Sequence, residues 1–195
     1  MSLEPVQLYG GAITTVIPKG FLDASLLRQV PDAQEVYVNS RDENEQFNDG
    51  LQLNESIIVD LLQPVAPKDL KEALKVHVED IVSLNETTKD DNQTFDWEVL
   101  QVDQVQEKPC CIAAQYTVKK WGKEDSKQET VVSCVGLIRL QEFQVDVVIT
   151  VNAPLQGEAQ QRGSALIADP HVQAAYSVLQ EMLKQFVLVD KSLFA

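Results

Sequence analysis

The chain is poor in the residues on which most enzyme chemistry is built. Among 195 residues there are two histidines, three cysteines and two tryptophans. His77 falls on a helical stripe and His171 follows Pro170 near a helix start, so both read as structural. Neither sits at zinc-ligand spacing, and no metal site is expected. Cys110 and Cys111 are adjacent, a spacing that rarely closes a relaxed disulfide. Cys134 lies alone in an apolar run and reads as a small core residue. So sparse and odd a set fits a reducing compartment. The glycosylation-like triplets at Asn54, Asn85 and Asn92 then read as chance matches. Glycine-rich phosphate loops and a G-x-S-x-G elbow are missing. Gly10-Gly11 lead into a β-branched stretch, not a helix, so no cofactor is implied.

Basic charge is also short. Sixteen lysines and arginines face 30 acids, for a net charge of -14. That balance argues against nucleic acid or an anionic membrane, both of which need a basic face. It favours a basic protein partner, or simple solubility. "MSLEPVQLYGG" has no basic region followed by a long apolar run, so it does not read as a signal peptide. No apolar stretch approaches the roughly 20 residues that span a bilayer.

What is present is enough for a full core. Hydrophobic residues make up 44% of the chain, and residues 1–195 read as one domain. Residues 12 to 18, "AITTVIP", predict a strand, and 35 to 39 predict another. Between them Asp23 or Ser25 caps a short helical turn carrying Leu26 and Leu27. In "NESIIVDLLQPV" Ile58, Leu61, Leu62 and Val65 fall at helical spacing, while Ile57, Ile58 and Val59 keep a strand open. "PKDLKEALKVHVEDIVSLN" predicts a helix with Leu70, Ala73, Leu74, His77 and Ile81 on one stripe. Four strands follow, at 97–105, 110–120, 128–141 and 144–152. The third is apolar on both faces, as a covered central strand is. Trp97 and Trp121 read as core or strand-pair aromatics. Polar stretches at 41–50, 85–94 and 155–169 read as loops. A last helix carries Val172, Ala175, Tyr176, Leu179, Met182, Leu183 and Phe186 on one face. The sum is an α+β domain: an α/β/α sandwich with a six-stranded, mainly antiparallel sheet covered by helices on both faces.

One cluster of acids stands out. In "LDASLLRQVPDAQEVYVN" Asp23, Asp32 and Glu35 gather around a short turn. A helix cap, a turn residue after proline and an exposed strand position account for all three. A patch for a basic partner accounts for them equally.

The same stretch carries a resemblance. "LYGGAITTVIPKGFLDASLLRQVPDAQEVYVN", residues 8 to 39, closely resembles the Ran guanine-nucleotide release factor family. That family shows Gly-Gly-Ala after an aromatic, then Asp-x-Ser-x-Leu-Arg-x-Val-Pro-Asp-x-Gln-Glu-Val. Here the second motif reads Asp23, Ser25, Leu27, Arg28, Val30, Pro31, Asp32, Gln34, Glu35, Val36. The similarity continues through "NESIIVDLL", "HVEDI" and "LIRLQEFQVDVVITVNAP", and the ending "SLFA" looks like that of fungal members. The resemblance implies a regulator without covalent chemistry that binds the nuclear-transport GTPase Ran and promotes release of its bound guanine nucleotide. The alternative it leaves open is a non-catalytic adaptor that binds GTP-loaded Ran and passes it to other Ran regulators. It also implies action in nuclear protein import, in nucleus and cytoplasm. Oligomeric state is left open by the sequence, and a monomer is assumed. The family's acidic patch maps onto Asp23, Asp32 and Glu35, with Arg28 and Gln34 as neighbours that shape it.

Overall fold

The computed structural model describes residues 2–45, 47–84, 97–105, 111–120, 129–155 and 168–194. Cys110, Trp121, the sequence-predicted loop at 85–94 and most of that at 155–169 lie outside them. Ten strands and two helices are described: β1 (Leu3–Leu8), β2 (Ile13–Pro18), β3 (Phe21–Asp23), β4 (Gln34–Asn39), β5 (Ser56–Leu62), α1 (Leu70–Leu84), β6 (Trp97–Gln104), β7 (Cys111–Lys120), β8 (Glu129–Leu140), β9 (Val145–Pro154), α2 (Pro170–Gln185) and β10 (Val187–Leu188).

The expected single six-stranded sheet is corrected to two antiparallel sheets. One has seven strands in the order β3-β4-β5-β9-β8-β7-β6, the other three in the order β1-β2-β10. The count changed mainly at residues 56–62. Their helical spacing loses to the β-branched run: Ile57 and Val59 enter the core, and β5 fills the place between β4 and β9. Without it both neighbours would lose their ladder hydrogen bonds in a buried setting. The remaining strands, β1, β3 and β10, are short or polar. Pro5 is tolerated in β1 because β1 lies at a sheet edge.

The helices cover opposite faces of the large sheet. β8 shows this by alternation. Val132, Cys134 and Ile138 join the cluster that holds Leu179, Met182 and Leu183 of α2. Val135 and Leu137 join Ala73, Leu74 and Val78 of α1. Gly136 faces α2 at close range; a Cβ there would lie 2.9 Å from Leu183, so glycine is what lets the helix settle. All seven residues of the stripe read in the last helix are buried. Asp169 caps α2 by accepting from the His171 N–H at 2.9 Å, and Pro170 opens it without losing a needed donor. The three-stranded sheet shares this core through Leu8, Ile13 and Ile17. Thr15 on β2 donates its hydroxyl to the Met182 carbonyl at 2.7 Å, in full burial.

Candidate partner-binding surface

The acids of the opening turn sit at one edge of the large sheet, where β3 is the outermost strand. Asp23 ends β3 and caps a single 3-10 turn, accepting from the Ser25 N–H at 2.8 Å. The N–H groups of Leu27 and Arg28 both reach the Ala24 carbonyl at 3.0 Å, and Ala24 itself is buried. The chain then passes Arg28 and Asp32, both exposed, and turns into β4 through a Gln34 N–H to Pro31 carbonyl bond of 2.9 Å.

Glu35 and Gln34 enter β4 on opposite faces, as neighbours in a strand must. Glu35 turns toward the small sheet. Its Oε1 accepts from the Tyr9 N–H at 2.6 Å. Tyr9, Gly10 and Gly11 hold φ of 51°, 65° and 93° in succession, a left-handed bend for which two glycines are well chosen. The Tyr9 hydroxyl donates to the carbonyl of Val59 at 2.8 Å. Gln34 turns the other way and donates from Nε2 to Asp60 Oδ1 at 2.7 Å, directly across the β4–β5 ladder.

Two tyrosines report on the local charge. Burial, then the charges of Asp60 and Glu35, push the Tyr9 phenol well above its usual ionisation range. Burial, then Glu35 and Asp23, do the same to Tyr37. Asp23 and Glu35 therefore act on one point, the Tyr37 phenol, while Asp32 stands out from the turn. Of the five residues singled out in the sequence, Gln34 is the one the strand geometry turns to the opposite face from Glu35. Its partner Asp60 was not singled out. Burial raises the Asp60 carboxyl above its ordinary range, with Gln34 and His77 pulling the other way. The signal for Asp60 lay in the pairing of β4 with β5, which a helical reading of 56–62 conceals.

The other buried charges hold the fold together. Asp146, fully buried, receives Arg139 at 2.8 and 2.7 Å and His77 Nε2 at 2.9 Å. Burial alone would raise its carboxyl; these donors overturn that and leave it at about 2. Glu55, equally buried, accepts from His171 Nε2 at 2.6 Å and Asn39 Nδ2 at 2.8 Å. Burial opposes ionisation there too, and His171, Gln52 and Asn39 still hold the group below the ordinary carboxylate range. Arg41 makes a two-pronged pair with Asp49 at 3.0 and 2.7 Å. Both histidines thus serve as buried partners of carboxylates. Among the described residues no group of three or more histidine, cysteine or acidic side chains is placed to hold a metal ion. Among them, too, no helix is long and apolar enough to cross a membrane.

Fold and edge together define a mixed α/β protein with two antiparallel sheets, a helix on each face of the larger and an acidic rim where β3 meets β4. Known proteins share this fold. The family described as Ran-interacting Mog1 protein matches residues 6–154. The chain is 53% identical to the nuclear import protein MOG1 of Saccharomyces cerevisiae, over 100% of this chain and 86% of that one. It is 32% identical to the Ran guanine nucleotide release factor of Danio rerio, over 76% of each. The crystal structure of the Saccharomyces cerevisiae Ran-binding protein Mog1p superposes with a TM-score of 0.83, at 50% identity and full coverage of both chains. This chain belongs to the Ran-interacting Mog1 protein family.

Proposed function

We propose that this protein binds the small GTPase Ran and promotes release of its guanine nucleotide in support of nuclear protein import. Family membership carries the reading: a relative along the whole chain is a nuclear import protein, and one along 76% of it is a Ran guanine nucleotide release factor. The acidic rim of Asp23, Asp32 and Glu35 is the binding surface, with Arg28 at its border; Gln34, turned to the opposite face of β4, braces Asp60 instead. Small GTPases hold phosphate with a P-loop lysine and Mg²⁺. A fixed carboxylate edge competes for such cationic groups or draws a basic switch segment away. Nucleotide leaves to the extent that the edge prefers the emptied state over the loaded one. No covalent step is required of the chain. It acts as a monomer, in nucleus and cytoplasm, and other Ran regulators meet the GTPase after it. The test is release of labelled GDP and GTP from purified Ran, each with and without the protein. Accelerated release supports the reading; binding without acceleration replaces it with an adaptor that hands on loaded Ran.

A further inference from the structure

Leu26 and Leu27 are 72% and 68% exposed, the two most exposed large apolar side chains among the described residues. Neither joins either core cluster. They do not hang on a slack loop. Asp23 caps the turn beneath them, the Ala24 carbonyl takes two N–H groups, and the buried Ala24 pins it against the sheet. The protein thus displays two leucines in a fixed geometry at an edge of its large sheet, with Asp23 just before them and Arg28 and Asp32 just after.

We infer that Leu26 and Leu27 form the apolar centre of the surface that grips Ran, and that Asp23, Arg28 and Asp32 are its polar rim. This rests on the Ran reading given above and adds what the acids lack. Charge at a rim sets encounter rate and register, whereas the desolvated apolar centre of an interface sets how long the complex lasts. A turn already held by its cap loses little freedom on docking, so its leucines act as preformed anchors. The partner face that fits is a shallow apolar depression bordered by lysine or arginine, the complement of leucines flanked by aspartates. The chain's charge of -14 points to the same sign of partner.

The test uses the full chain and purified Ran, with association and dissociation rates read separately across a salt series. The variants are Leu26→Ala, Leu27→Ala and both together. Val189→Ala, at a side chain 61% exposed just past β10 and outside the Leu26–Leu27 turn, is the control. The double variant is expected to bind at least tenfold more weakly, through faster dissociation, with the salt dependence of association and the melting temperature unchanged. The control is expected to bind as the parent does. A double variant that binds within twofold of the parent overturns the inference while leaving the Ran reading intact. So does a control that loses as much. A parent chain that does not bind Ran at all removes the Ran reading, and this inference with it.

Discussion

The backbone N–H of Tyr9 donates to the carboxylate of Glu35 at 2.6 Å across 26 residues of chain. It ties the left-handed bend at Tyr9-Gly10-Gly11 to the start of strand β4, so one sheet is fastened to the other beside the acidic rim. Substitutions separate this structural tie from the binding role proposed for Glu35. Glu35→Ala leaves a half-buried donor without its acceptor and is expected to cost about 1–3 kcal/mol of stability. Glu35→Gln keeps an acceptor oxygen and removes the charge. It is expected to retain most of the stability and still bind Ran more weakly. Urea denaturation beside a Ran titration checks both; a glutamine variant with full affinity confines Glu35 to its structural task.

Asp32 differs, because it stands exposed on the turn. Asp32→Ala is expected to leave stability within about 0.5 kcal/mol of the parent, as surface changes do. Its effect is expected on association instead. Screening shortens the reach of exposed charge from about 10 Å at 0.1 M salt to 3 Å at 1 M. Association with Ran is expected to slow as salt rises for the parent, and less steeply for the variant. Stopped-flow rates over a salt series decide it, and a flat series for the parent assigns the acidic charge to solubility.

Asp146 sets an acid limit on stability. Its carboxyl is held at about 2 in the fold, against 3.8 when unperturbed. A depressed value means stability that is fully present above about pH 4 and lost as the pH falls toward 2. The shift corresponds to about 2 kcal/mol. Glu55, also held low, adds to the loss in the same direction. Asp146→Asn is expected to flatten part of this acid slope. It is also expected to cost about 3–5 kcal/mol at neutral pH, because Arg139 is left buried without its counter-charge. Denaturant midpoints from pH 7 down to pH 2 measure both effects.

These relationships differ in how far the sequence exposes them. The stripe of α2 is legible because a buried helix face repeats within a few residues, and Val172 through Phe186 recur on that period. The Asp23 cap is legible for the same reason: cap and capped N–H lie two residues apart. β5 was ambiguous because Ile58, Leu61 and Leu62 satisfy a helical period, and the deciding partners, Val36 and Thr150, are far away in the chain. The acids of the rim were legible as a cluster through a motif. Their geometry was not, since Glu35 looks to Tyr9 and Gln34 to Asp60, each 26 residues distant. Exposure is equally silent in sequence: a short helical turn carrying Leu26 and Leu27 does not tell which way they face, and the fold leaves both uncovered.

The pairing of β10 with β2 sets an order in time. Val187 and Leu188 lie against Thr14 and Ile13, and the Val189 and Asp190 N–H groups close on the Ala12 carbonyl. During synthesis the first sheet begins within the opening eighteen residues, yet its third strand leaves the ribosome after all the others. Until then β2 is an open edge, bonded on one side only. Its inner residues Ile13 and Ile17 also wait for α2 to cover them. Contacts of such long range are slow to form and leave a nascent chain open to wrong pairing.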